Sequence, residues 1–162
     1  MRPLRHLLAP SSARAFPPAS LERIAMAIAA SEARHTGELC FAVEAALPLR
    51  LALVGHGARE RALEMFTRLR VWDTEANNGV LVYLLLADRA IEIVADRGFN
   101  GRVDPSEWAS ICVALEQSMR TGDREAGVMR TVESISALLE HHFPRPEGYV
   151  DTNELPDRPH LL

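Results

Sequence analysis

The chain has 162 residues, the length of one ordinary domain, with 48% apolar and 25% charged residues, so it is neither disordered nor a fibre. Its formal net charge is −4, which argues against a nucleic-acid surface, where a clustered basic excess is expected. All eighteen basic residues are arginine, and they are scattered among acids, as a GC-rich genome would leave them.

In chain order, residues 1–16 read as a flexible N-terminal arm, too short and too broken in its apolar run for a secretion signal. Pro17 and Pro18 precede a helix whose apolar face is Leu21, Ile24 and Ile28, with Gly37 placed to end it. Residues 38–46 read as a first strand, stopped by Pro48. A connection with two glycines follows over 47–57. From Ala58 a second amphipathic helix runs towards Trp72, with Ala62, Leu63, Phe66 and Leu69 as its stripe.

Asn77-Asn78-Gly79 is a turn signal. It leads into VLVYLLLA, an apolar run of strand length that needs cover on both faces. Asp88-Arg89 makes a tight connection to IEIVA, a third strand, so the pair reads as a β-hairpin. The first strand, second helix and second strand form a βαβ unit, expected to be right-handed. Asp104-Pro105-Ser106-Glu107 opens the next helix with a cap, a proline at its first position and a capping-box glutamate. Gly122 ends it. Asp123 starts the last helix, with Val128, Val132, Ile135, Leu138 and Leu139 buried. The proline-rich tail, residues 144–162, reads as extended or mobile.

The order of marks from the second helix through Trp72, Asn77-Asn78-Gly79, the apolar strand, and a hairpin ending in Asp96-Arg97-Gly98 resembles the centre of a TPM domain, of the short soluble bacterial type. Thr36-Gly37-Glu38 upstream and the later helix pair around Arg120, Gly122 and Asp123 fit as well. The resemblance covers residues 20–143 and gives a TPM-like domain over 17–143. It implies an α/β/α sandwich: a short mixed sheet, made of the βαβ unit and the hairpin, flanked by about four helices. It also implies divalent-cation binding, usually calcium, and for plant thylakoid members acid-phosphatase activity and photosystem II repair. Many members are exported or membrane-anchored. This chain departs from them in showing no signal peptide and no membrane-length apolar run, and in carrying Ala95-Asp96-Arg97-Gly98 where a glycine-rich strand end is usual.

The candidate chemistry is acidic. Asp73, Glu75, Asp96 and Asp104 fall near strand or helix ends, with the amides of Asn77 and Asn78 close by in sequence. A hard cation such as Ca²⁺ takes about six to eight oxygen ligands from carboxylates, carbonyls and water, and Mg²⁺ an octahedral set of the same kind. Hairpin geometry puts Asn77, Asn78 and Asp96 in one region. The plain alternatives are a helix cap at Asp104, a solvated loop at Asp73 and Glu75, and a purely structural turn at the asparagines. Arg97 is a candidate phosphate fork, against the alternative of an ion pair with Asp96. No organic cofactor is indicated, and no phosphate-cradling glycine loop, nucleophile elbow or metal-binding helix motif occurs. The six histidines lack metal spacing, and His56, between two glycines, is the one to watch.

Cys40 and Cys112 read as buried reduced thiols, and the cytoplasm as the compartment. Trp72 and Trp108 read as anchors of buried helix faces. The expected function is an accessory or binding domain that holds a divalent cation. A weak metal-assisted phosphatase and a metal-free module for a protein partner are the alternatives. No oligomeric state follows from the sequence.

Overall fold

The structure, a computed structural model, describes residues 2–150 and 152–162; Met1 of the expected arm and Asp151 of the expected tail lie outside the described residues. A mixed sheet of four strands forms the centre, in the order β3-β2-β1-β4. The strands are β1 (Glu38–Glu44), β2 (Gly79–Leu85), β3 (Ala90–Ala95) and β4 (His160–Leu161). β1 and β2 run parallel with Glu38 opposite Gly79, and β2 and β3 form the expected antiparallel hairpin with Val80 opposite Ala95.

Every residue of β1 and β2 is buried, as their unbroken apolar runs require. Alternation then sorts the side chains into two cores. Leu39, Phe41, Val43, Val80, Val82 and Leu84 face one side with α3 (Pro18–Glu32), α6 (Pro105–Thr121) and α7 (Arg124–His142). Cys40, Ala42, Leu81, Tyr83 and Leu85 face the other with α4 (Leu49–Leu53) and α5 (Ala58–Arg68). The result is the α/β/α sandwich, with seven helices among the described residues where about four are expected. The additional ones are short: α4, and α1 (Arg2–Leu7) and α2 (Ser12–Ala15) within the arm.

The arm is where structure and sequence reading differ most. Arg2 forks onto Asp88 of the hairpin turn, with contacts of 2.6 and 3.0 Å, and donates to the His56 carbonyl at 2.6 Å. His6 is buried and accepts from the Leu47 amide through Nδ1 at 3.0 Å. Its Nε2 is therefore the protonated nitrogen, donating to Asp88 at 3.1 Å. Phe16, fully buried, meets Phe41 edge-on at 5.8 Å. These partners are remote in sequence, so no local pattern announces them.

The tail is extended, as expected, but docked. Leu155 is buried in the second core, and β4 pairs in parallel with Ala42 and Val43 on the outer edge of β1. Of the expected stripe, Ala62 and Phe66 of α5 and Leu69 at its end pack on the second core, but Leu63 gives way to Arg61. Arg61, Ala62 and Met65 are buried, while Leu63 is 47% exposed. The cause is a buried ion pair: Arg61 forks onto Glu44 at 2.8 and 2.9 Å, and Tyr83 donates to the same carboxylate at 2.6 Å. Gly37 does not end α3, which stops at Glu32. It is a glycine because a methyl there would meet the Leu139 side chain. Cys40 and Cys112 are free thiols, the first buried and the second half-buried. Burial pushes them up to about 12 and about 11.

Candidate cation-binding groove

The hairpin register lays the residues before β2 against those after β3. Asp96 donates its amide to the Gly79 carbonyl at 2.9 Å, and Gly98 donates to the Asn77 carbonyl at 2.9 Å. The two segments approach so closely that a methyl on Gly98 would strike the Asn77 carbonyl, and a methyl on Gly79 would strike the Val71 carbonyl in the turn that follows α5. Asn77 takes the left-handed conformation, φ +52°, which asparagine tolerates, and accepts from Arg97 Nε at 2.8 Å. Asn78 is wholly buried. Its side-chain amide donates to the Thr36 carbonyl at 3.1 Å, bracing the start of β2 against the segment entering β1. The Asn-Asn-Gly and Asp-Arg-Gly triplets thus form one clasp, and the structure brings Asn77, Asn78, Asp96 and Arg97 together.

Asp96 caps the short 3-10 turn Arg97–Phe99, accepting from the Arg97 amide at 2.7 Å through Oδ1. Its other oxygen, Oδ2, is buried without a hydrogen-bond partner. Asp104 caps α6, accepting from the Ser106 amide at 2.8 Å, while Glu107 accepts from the Asp104 amide at 3.0 Å. The Ser106 hydroxyl and amide hold the Asp104 carboxyl below its ordinary range. Asp96, Asp104 and Glu107 share a groove of about 670 Å³ with Arg59 and Arg102. Phe99 and Trp108, edge-on at 5.5 Å, form its apolar wall.

Asp73 and Glu75 do not line this groove. Asp73 pairs with Arg70 on the surface, and the Glu75 amide donates to Glu154 at 2.9 Å. Arg97 directs its Nε at Asn77 and does not line the groove. Among the described residues no three of His, Cys, Asp and Glu converge as a metal-binding group. Trp108 is packed against the first core as expected, but Trp72 is 48% exposed, its Nε1 donating to the Thr67 carbonyl at 3.3 Å. His56 lies 3.1 Å from Glu64.

The sequence reading passed over the glutamates that the fold buries. Glu32 accepts from the Leu39 amide at 3.1 Å, and burial, with Glu38 and Asp157 nearby, pushes its carboxyl up to about 9. Glu38 accepts from the amides of Glu154 and Leu155 at 3.1 and 3.2 Å and so fixes the tail. The available signal was Glu38 and Glu44 bracketing a strand otherwise wholly apolar. A charge at such a position has to be paired.

A family model for the TPM domain matches residues 11–138. The fold is similar to the NMR structure of the BA42 protein from the psychrophilic bacterium Bizionia argentinensis sp. nov.. The two chains are 25% identical with a TM-score of 0.75, over 88% of this chain and 92% of that one. No curated protein matches the chain.

Proposed function

The chain belongs to the TPM domain family, and from that premise we propose that it is a binding domain whose groove beside the clasp takes a divalent cation, Ca²⁺ or Mg²⁺, in the cytoplasm. The observation that carries this reading is the inner oxygen of Asp96, buried without a partner in a groove that also holds Asp104 and Glu107. A desolvated carboxylate oxygen with no donor is costly unless something positive meets it. Asp96 and Asp104 would be the protein ligands, Glu107 a neighbouring acceptor, and the loop carbonyls with water would complete an oxygen shell. Asn77 and Asn78 would position Asp96 through the clasp. Asp73 and Glu75 fall outside the groove and take no part.

Two carboxylates make a weak site, with Kd in the range of about 10⁻⁴ to 10⁻³ M. A bound cation would supply charge neutralisation and a polarised water. Hydrolysis of a phosphate ester is the less supported alternative, because Arg97 faces Asn77, which leaves Arg59 and Arg102 as the cations lining the groove.

Calorimetric titration of chelator-treated protein with Ca²⁺ and then Mg²⁺ tests the proposal. Asp96→Asn should weaken binding about 10-fold or more, while Asp73→Asn should leave it unchanged. Equal loss in both variants, or no heat with either ion, overturns the assignment.

A further inference from the structure

The opposite end of the hairpin carries a second concavity of different chemistry. A groove of about 440 Å³ opens where β2 ends, and a second hollow of about 560 Å³ continues it, the two sharing Pro10, Leu86 and Arg89. The floor is the uncovered margin of the first core: Ala15, Leu86, Ile91 and Met119 are each only partly buried and pack against it. Leu4 and Leu8, 53% and 73% exposed, extend the apolar surface along the second hollow.

The rim is cationic. Arg89, Arg120 and Arg124 line the first groove and Arg5 the second, against a single acid, Glu116, which lies 3.4 Å from Arg120. Arg5, Arg89 and Arg124 have no ion-pair partner among the described residues, so their guanidinium groups are not neutralised by neighbouring acids. In a chain of net charge −4 this is a local reversal of sign. Arg89 is held at the rim by the hairpin turn, where it takes φ +53°. An apolar trough edged by unpaired guanidinium groups, which fork readily onto carboxylate or phosphate oxygens, specifies a ligand with an apolar body and an anionic head.

We propose that this groove binds a free single-chain anionic amphiphile, its chain along Leu86, Ile91 and Met119 and its head between Arg89 and Arg124. It is independent of the cation groove. The test is titration with dodecanoate below its micellar concentration, read by calorimetry and by the Met119 methyl resonance, with dodecyl phosphate, dodecyltrimethylammonium, inorganic phosphate and phosphatidylglycerol vesicles in parallel. Dodecanoate and dodecyl phosphate should bind and shift Met119. The joint change Arg89→Gln and Arg124→Gln should weaken both about 10-fold or more. Met119→Glu, at a partly exposed position, should abolish binding without loss of the folded state in circular dichroism. Three results would overturn the proposal: equal affinity for the cationic amphiphile, inorganic phosphate binding as tightly as dodecyl phosphate, or binding confined to the vesicles.

Discussion

The two faces of the sheet are packed by different rules. On the face covered by α3, α6 and α7 the larger core is built of apolar contacts, from Phe16 against Phe41 to Ile28, Val132, Ile135 and Leu139. Buried polar groups there are held by hydrogen bonds, such as His35 on Ser136 and Glu32 on the Leu39 amide. The face covered by α4 and α5 is smaller and holds a buried charge pair, Glu44 with Arg61, to which Tyr83 adds a hydroxyl donor. Burial pushes the Tyr83 phenol well above its ordinary range, and Glu44 holds Arg61 firmly protonated. The first face needs volume filled. The second needs one geometry satisfied, and leaving either charge alone is costlier than removing both.

The largest effect should therefore come from the smaller face. Arg61→Met alone should cost about 3–5 kcal/mol by stranding Glu44, while Arg61→Met with Glu44→Leu should be near neutral or stabilising. Urea midpoints at fixed slope separate the two, and equal losses would remove the distinction between the faces. Next, Leu139→Ala on the apolar face should cost about 2–5 kcal/mol through the cavity it leaves.

The third prediction concerns Glu32, where α3 meets β1. Its folded carboxyl is raised from the ordinary 4.5 to about 9. The folded state thus holds a proton that the unfolded chain releases, so this group's contribution is fully present below 4.5. It is lost as pH climbs towards about 9, with a slope of at most about 1.4 kcal/mol per pH unit. Glu32→Gln keeps an acceptor for the Leu39 amide and should flatten that decline; an unchanged profile from pH 5 to 9 would refute the assignment. The smallest effect is Tyr83→Phe, about 1 kcal/mol for one buried hydrogen bond, since Arg61 still satisfies Glu44.

Local signals carried much of this fold. The hairpin, the parallel β1–β2 order and the Asp104 capping box are all readable, because periodicity, turn residues and caps act over a few positions. Hairpin register alone brought Asn77, Asn78 and Asp96 into one region. What the sequence concealed depends on distant pairs: Arg2 with Asp88, Arg61 with Glu44, and Glu38 with the amides of the tail. Helical spacing put Leu63 inwards on hydrophobicity, whereas the structure turns Arg61 in, because a carboxylate on the neighbouring strand was waiting for it. Of the acids singled out in the sequence, Asp96 and Asp104 share a groove, while Asp73 and Glu75, close in sequence, lie outside it.

The two thiols give the molecule internal reporters of opening. Cys40 lies in the sheet's interior and Cys112 on α6 at the margin of the apolar face, both protonated at neutral pH. A thiol-alkylating reagent can reach Cys112 whenever α6 lifts locally, but can reach Cys40 only when β1 parts from its neighbours. The ratio of the two labelling rates therefore measures how far a helix excursion is uncoupled from loss of the sheet, with no engineered probe.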